Sequence, residues 1–392
     1  HAHAWEPGDV VVWNNLRTMH AATGVPESAA KRRMWRTTAL PRGGGGAEAD
    51  ATVSVTASAA RAVATAALER SGSGRPQASA AADAFVAAEI DGRAAHGLRR
   101  IPEVCDALER GDVAANPDVR VLMDQKSVVV RVDGGGGLAF GPLRAALDAV
   151  AAAAETHGAA VGIISNTRSV SGRLAPWVER LAERGLVAVL TCNTPAYLAV
   201  EGSAEPCLGT NPIAWACPRR DGPPVVVDLA LAASSRAAIE VAAAAGAKLP
   251  RGVAIDADGK PTRDAAAALD GGAQLPAGGI KGALLALLVE VLSGGLAGGD
   301  LAVDSDDYHT MDRSLFLLVV DPAMTTRGFD VERLLGRFGG RAGAAARESR
   351  EASRRADGDH DVRVSAALWF ELQRRSRLAG DGSDLEAVLP RD

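Results

Sequence analysis

Apolar and polar positions repeat along this chain with two different periods, and each change of period marks an element. From Val53 to Glu89 the spacing is helical and Ala-rich, and the break Ser71-Gly72-Ser73-Gly74-Arg75-Pro76 predicts two helices rather than one. Lys126–Val132 is β-branched and predicts a strand, followed by a turn at Gly134–Gly137 and a helix over Gly141–His157. Short apolar runs at Ala160–Ile164, Leu186–Thr191, Val225–Leu229 and Leu315–Val320 predict further strands. Helical patterns at Pro176–Arg184, Ala233–Ala245 and Gly282–Leu292 fall between them. This alternation points to an α/β fold. Residues 341–360 are rich in Arg, Ala and Glu with little apolar period, and read as a solvated helix or loose segment.

Composition narrows the picture. The chain has 392 residues, a net charge of −5 and 47% hydrophobic residues, so it has enough apolar material for a core. Its acidic balance argues against a nucleic-acid binder, which needs clustered positive charge. The longest apolar run, Ala283–Val289, is far short of the roughly 20 residues that a spanning helix needs, so no membrane partner is expected. Cys105, Cys192, Cys207 and Cys217 form no CxxC pair, which predicts neither a disulfide framework nor a zinc site and makes a reducing cytoplasm the expected location. The chain opens at His1 without a Met and reads as a piece of a longer frame.

Three zones follow from composition: residues 1–42, dense in bulky side chains; a Gly-rich linker over 43–50; and a long segment over 51–390. In the first zone Trp5-Glu6-Pro7-Gly8-Asp9-Val10-Val11-Val12-Trp13-Asn14-Asn15 predicts a turn feeding a buried strand. Arg17-Thr18-Met19-His20 and Arg32-Arg33-Met34-Trp35-Arg36 come after it. This resembles the C-terminal end of taurine-dioxygenase-like Fe(II)/2-oxoglutarate oxygenases. The resemblance implies an iron ligand at His20 and a 2-oxoglutarate-binding Arg at Arg32, with Arg36 a second match. A facial triad needs two His and one carboxylate, so the iron site is incomplete in this chain and no iron binding is expected of it alone. Fe(II) and 2-oxoglutarate enter only if an upstream oxygenase accompanies it.

In the long segment, four motifs carry chemistry. Asp91-Gly92 leads to His96-Gly97-Leu98 and Arg100-Ile101-Pro102; His96 and Arg100 stand four apart and would share a face on a helix. An imidazole that exchanges a proton near neutrality beside a guanidinium fork suits a 2-oxo-acid substrate, although a helix end with two solvated basic groups would look the same. Asp228 closes the apolar run Val225–Val227, where sites in α/β sheets gather, or else caps the following helix. Gly209-Thr210-Asn211-Pro212 predicts a tight turn. Gly278-Gly279-Ile280-Lys281-Gly282 opens a helix, where a phosphate would find free N–H groups. It lacks the Ser/Thr of a P-loop, and no GxGxxG can be drawn through Gly134–Gly137.

In this order the motifs resemble the malate/L-lactate dehydrogenase family of non-Rossmann NAD(P)-dependent oxidoreductases, which includes ureidoglycolate dehydrogenase and piperideine-2-carboxylate reductase. The expected fold is therefore α/β and malate/L-lactate dehydrogenase-like, with a short β-rich oxygenase remnant before it. The resemblance implies hydride transfer to or from a small 2-oxo, 2-hydroxy or cyclic 2-imino acid, NAD or NADP as cofactor, and a homodimer. It implies catalytic roles for His96 and Asp228, substrate binding by Arg100, Thr210 and Asn211, and cofactor contacts at Thr194, Asp228, Leu229, Ala230, Lys281 and Gly282. The chain departs from the family at Val170, where relatives bear a proton-accepting His, and at Leu229-Ala230-Leu231-Ala232, which replaces Met-Ala-Thr-Ser. Val104 stands for an expected Tyr, and no Pro-Gly-Glu turn is found near Ala345–Glu348. These changes leave three readings: an active reductase working through His96, a catalytically impaired binding or structural domain, or the C-terminal part of a fused oxygenase.

Overall fold

The computed structural model describes residues 52–123, 127–169, 171–200, 202–220, 222–305, 307–325, 329–338 and 361–377. The expectations for residues 1–42 (His20 and Arg32 among them), the linker, Val170 and residues 341–360 lie outside these.

Strand β1 (Thr52–Thr56) begins where helix was expected and pairs antiparallel with β12 (Asp361–Ser365). Val53 and Val55 alternate with Thr and Ser, a period of two at the head of a helical stretch. Thr56 ends the strand and starts α1 (Ala57–Arg70), its Oγ1 accepting from the Ala59 amide at 3.2 Å. Helix α2 (Arg75–Ile90) follows the predicted break. Ala60, Ala64 and Ala67 of α1 and Ala78, Ala81 and Ala82 of α2 are wholly buried, so small side chains let the helices approach closely. Helix α3 (Ile101–Arg110) completes this layer, and α11 (Ala366–Arg377) returns against α1.

The central sheet has seven strands: β2 (Arg120–Leu122), β3 (Val129–Leu138), β4 (Ala159–Arg168), β5 (Val187–Cys192), β6 (Ile213–Cys217), β7 (Val225–Leu229) and β11 (Arg313–Val320). Their order is β2-β3-β4-β11-β5-β6-β7. Only β3 and β4 run parallel, joined by α4 (Phe140–His157); every other neighbouring pair is antiparallel. The fold is α/β, but with a mixed sheet rather than a doubly wound one. Phe85 of α2 meets Phe140 of α4 edge to face at 5.5 Å, joining the helical layer to the sheet's cover.

The turn expected at Gly134–Gly137 is instead the bulged end of β3, with a register shift between Asp133 and Gly137. The glycines are needed because other segments cross them closely. A Cβ at Gly137 would lie 2.5 Å from Pro117 Cγ, and Gly135 has φ +61 with Asp118 backbone at 2.8 Å. After β7 come α6 (Arg236–Ala244), α7 (Ala265–Leu269) and a small sheet of β8 (Ala254–Ile255), β9 (Pro261–Thr262) and β10 (Ala273–Gln274). Helix α8 (Ile280–Val289) continues into a π-helical turn, Glu290–Gly295, that packs on β5 and β11. Short helices α9 (Pro322–Thr325) and α10 (Glu332–Phe338) follow β11.

Candidate active site

His96 does not lie on a regular helix with Arg100. The two occupy successive 3₁₀ turns, Ala94–His96 and Leu98–Arg100, between α2 and α3. Gly97 separates them because its position has no room for a side chain: a Cβ would come within 2.3 Å of Glu89 Oε1. That same carboxylate accepts from the Leu98 amide at 2.9 Å, which ties the second turn to α2.

His96 is exposed, yet the groups around it strip enough water from the imidazole to disfavour its charged form. Burial first, then the charges of Arg100, Arg173, Arg93 and Arg99, hold its pKa down at about 4. At neutral pH the ring is therefore uncharged. Arg100 spends Nε on the Ala95 carbonyl at 2.8 Å and Nη1 on Glu103 at 3.0 Å, and among the described residues Nη2 has no partner. Arg99 reaches Glu240 of α6 at 3.5 Å, which brings α6 beside the second 3₁₀ turn.

Asp228 sits at the end of β7 as expected. Its Oδ2 accepts from the Leu174 and Ala175 amides at 3.1 and 2.9 Å, so it caps the start of α5 (Ala175–Glu183), a helix earlier in the chain rather than the one that follows. Burial raises its pKa, opposed by the Ala175 amide, Arg173, the Leu174 amide and Arg93. Asp228 and His96 thus share the fields of Arg173 and Arg93, but no hydrogen bond joins them among the described residues. Arg173, which the sequence reading passed over, pairs with Asp91 at the end of α2 and stands next to α5.

The predicted cofactor segments come together through backbone hydrogen bonds. Leu231 N–H donates to the Thr210 carbonyl at 2.8 Å, and Ala277 N–H donates to the Leu231 carbonyl at 2.8 Å. Thr194 Oγ1 accepts from the Thr210 amide at 2.9 Å, and the two threonine hydroxyls are 3.4 Å apart. The strip therefore runs from Thr194 through Thr210 and Leu229–Leu231 to the start of α8, with Leu229, Ala230 and Lys281 exposed along it. At that start Gly278 and Gly279 have φ of +70 and +63, and Gly282 is buried where a Cβ would meet Ala277 O at 1.9 Å. An exposed ammonium beside free helix N–H groups, hydroxyls and an apolar edge fit a dinucleotide's phosphate, ribose and ring. Asn211 is different. It is fully buried with φ +39, and its side chain is committed to Thr194 N, Ala286 O and Glu290.

Tyr308 and His309 carry no motif in the sequence. Tyr308 lies within the field of Arg100 and packs its ring 4.4 Å from the guanidinium of Arg313; His309 Nδ1 is 2.8 Å from Ser169 Oγ. Arg313 is wholly buried at the centre of the sheet and donates to Asn193 O and Ser169 O. The ties of His309 to Ser169 and of Arg313 to Asn193 and Ser169 carry no signal in the sequence, because each joins residues more than a hundred positions apart. Among the described residues, no cluster of His, Cys, Asp and Glu could hold a metal ion, and no helix is long and apolar enough to cross a membrane.

A family model described as "Malate/L-lactate dehydrogenase" matches residues 55–373. The chain belongs to the malate/L-lactate dehydrogenase family. Residues 1–38 match a second model, "Taurine catabolism dioxygenase TauD, TfdA family". Within the dehydrogenase family the chain is similar to a Delta(1)-pyrroline-2-carboxylate/Delta(1)-piperideine-2-carboxylate reductase of Pseudomonas aeruginosa. The two are 36% identical over 80% of this chain and 90% of that protein. It is 41% identical to a reductase with the same description from Pseudomonas putida, over 56% of this chain and 64% of that one. The crystal structure of delta1-piperideine-2-carboxylate reductase from Pseudomonas syringae superposes with a TM-score of 0.75 and 31% identity, covering 82% of this chain and 99% of that one.

Proposed function

We propose that this chain reduces a small 2-imino or 2-oxo acid, a cyclic 2-imino acid foremost, with NADPH as the hydride source, His96 as proton donor and Arg100 as the carboxylate anchor. The observation that carries the reading is His96 set among Arg93, Arg99, Arg100 and Arg173, with Arg100 Nη2 open. Several relatives are named as reductases of cyclic 2-imino acids. A further relative, 37% identical over 65% of this chain and 77% of its own length, is a (2R)-3-sulfolactate dehydrogenase (NADP(+)) of Chromohalobacter salexigens, which favours the phosphorylated cofactor.

The nicotinamide supplies the hydride when bound. The residues of this chain supply the rest. Burial first, and then the arginine charges, keep His96 neutral; a substrate carboxylate entering against Arg100 offsets the charge part, so the imidazole gains its proton as the substrate arrives. As the imine carbon gains hydride, the C=N electron pair moves to nitrogen and His96 delivers the proton there. Asp228 holds Leu174 and Ala175 in place, and with them the neighbouring Arg173. Thr194, Thr210, Leu229, Ala230, Lys281 and Gly282 hold the cofactor.

The chain is expected to act as a homodimer. Ile280, Leu284, Leu285, Leu287, Leu288 and Val291 of α8 and its extension are each about half exposed, an apolar face of the kind that buries in interfaces. Four free cysteines fit a reducing cytoplasm. Oxidation of NADPH with pyrroline-2-carboxylate, piperideine-2-carboxylate and simple 2-oxo acids tests the reading. Turnover of at least one supports it. Cofactor binding without turnover of any would favour the impaired-enzyme reading, which rests on Val170.

A further inference from the structure

Glu290 stands where α8 changes from α- to π-helical winding, a kind of irregularity that often accompanies function. Its side chain is 6% exposed, and among the described residues it forms no ion pair. Three N–H groups hold the carboxylate: Asn211 Nδ2 donates to Oε2 at 2.8 Å, and Ala302 N and Asn193 Nδ2 donate to Oε1 at 2.6 and 3.3 Å. Burying a carboxylate without a cation is costly, so this residue needs every one of those donors.

Two of the donors, Asn193 and Asn211, open and close the connection between β5 and β6, and the third comes from the segment that leads to β11. Asn211 is in a left-handed conformation rare for a residue with a side chain, and its Oδ1 accepts from the Thr194 amide at 3.2 Å. Asn193 precedes Thr194 directly; its Nδ2 also reaches Asp300 O at 2.8 Å and its Oδ1 accepts from Ser314 N at 3.1 Å. Ala302 lies within the connection from the π-helical turn to β11. One carboxylate thus fixes both ends of the strip that carries the Thr194 and Thr210 hydroxyls. It does so from the far end of the helix whose first turn carries Lys281.

We infer that Glu290 is a positioning residue for cofactor binding, acting through Asn211 and Asn193 to set the Thr194–Thr210 strip against the start of α8. It touches no ligand itself. The inference rests on the reading that this strip and α8 hold the dinucleotide.

Glu290→Gln in the full chain tests it. The substitution keeps shape but turns one acceptor into an NH2 group, which must face either Asn211 Nδ2 or the Ala302 and Asn193 donors, whichever way the amide is turned. The expected result is a rise of about tenfold or more in the Kd of NADPH, read by nicotinamide fluorescence, and in its KM. At saturating NADPH, kcat should stay within about threefold. A fall in melting temperature with Kd and KM unchanged would make Glu290 a merely structural residue and overturn the inference. Should Glu290→Gln fail to fold, Glu290→Asp keeps both acceptors at shorter reach and must show the same split between KM and kcat. Wild-type chain that binds no NADPH would overturn the underlying reading as well; equal binding by wild type and variant overturns this inference alone.

Discussion

Replacing Arg100 by Gln removes the largest charge acting on His96 while keeping most of the side chain's bulk. Burial and the arginine charges hold the imidazole's pKa at about 4, against an ordinary 6.5. Burial, the first cause, remains in the variant, so recovery is partial. A guanidinium several ångströms away through a mixed protein and water medium contributes on the order of 1 kcal/mol, which predicts a pKa near 5 in the variant. Loss of Arg100 also frees the Glu103 carboxylate, which pulls in the same direction. At pH 5 the protonated fraction should rise from roughly a tenth to roughly a half. The chain has seven histidines, so the Cε1–H resonance is assigned by comparison with His96→Ala and followed by NMR from pH 3 to 8. Adding lactate to the unsubstituted chain should raise the same pKa. A pKa in Arg100→Gln equal to or below that of the unsubstituted chain would refute the idea that arginine charge keeps His96 neutral.

Further outcomes follow from other parts of the structure. Between about 4 and 6.5 the unfolded chain holds more protons on His96 than the folded one, so stability should fall as pH drops through that window, and less steeply in Arg100→Gln. Burial, then Glu183 and Asp91, push the Glu179 carboxyl up to about 7, against the pull of Arg173. The folded state therefore holds the extra proton from 4.5 to 7 and loses stability as pH rises through that range. Glu179→Gln should raise Tm by a few degrees at pH 8 and leave it unchanged at pH 4. Gly209→Ala places a Cβ 2.2 Å from Asn211 Oδ1 and 2.4 Å from Thr194 O; urea denaturation should show a loss of about 2 kcal/mol or more, with weakened NADPH binding. Leu284→Glu should convert a dimer to a monomer by light scattering at tens of micromolar, and an unchanged mass would clear α8 of the interface.

Much of the fold was legible because the helices and strands announce themselves by period. The Ala-rich pair split at Ser71–Pro76, α4 and β7 fall close to where the pattern puts them. What escaped was set by tertiary approach. The glycines at 134–137 read as a turn, but they are small because Pro117 and Asp118 cross over them. Strand β1 hid in a helical stretch because its partner, β12, is some three hundred residues away. At the site, His96, Arg100, Asp228 and Lys281 were visible as isolated chemistry within short motifs. Arg173, Tyr308, His309 and Glu290 carry no local motif and gain meaning only from what they face. Asn211 looked like a ligand group in its turn, yet its amide is turned inward because the left-handed backbone there needs a tie.

The central claim is that His96 gives the proton in reduction, and turnover of His96→Ala tests it most directly. With an accepted imino or oxo acid and saturating NADPH, the substitution should lower kcat by at least about a hundredfold, while the Kd of NADPH stays nearly unchanged. Turnover within a few-fold of the unsubstituted chain would contradict the account.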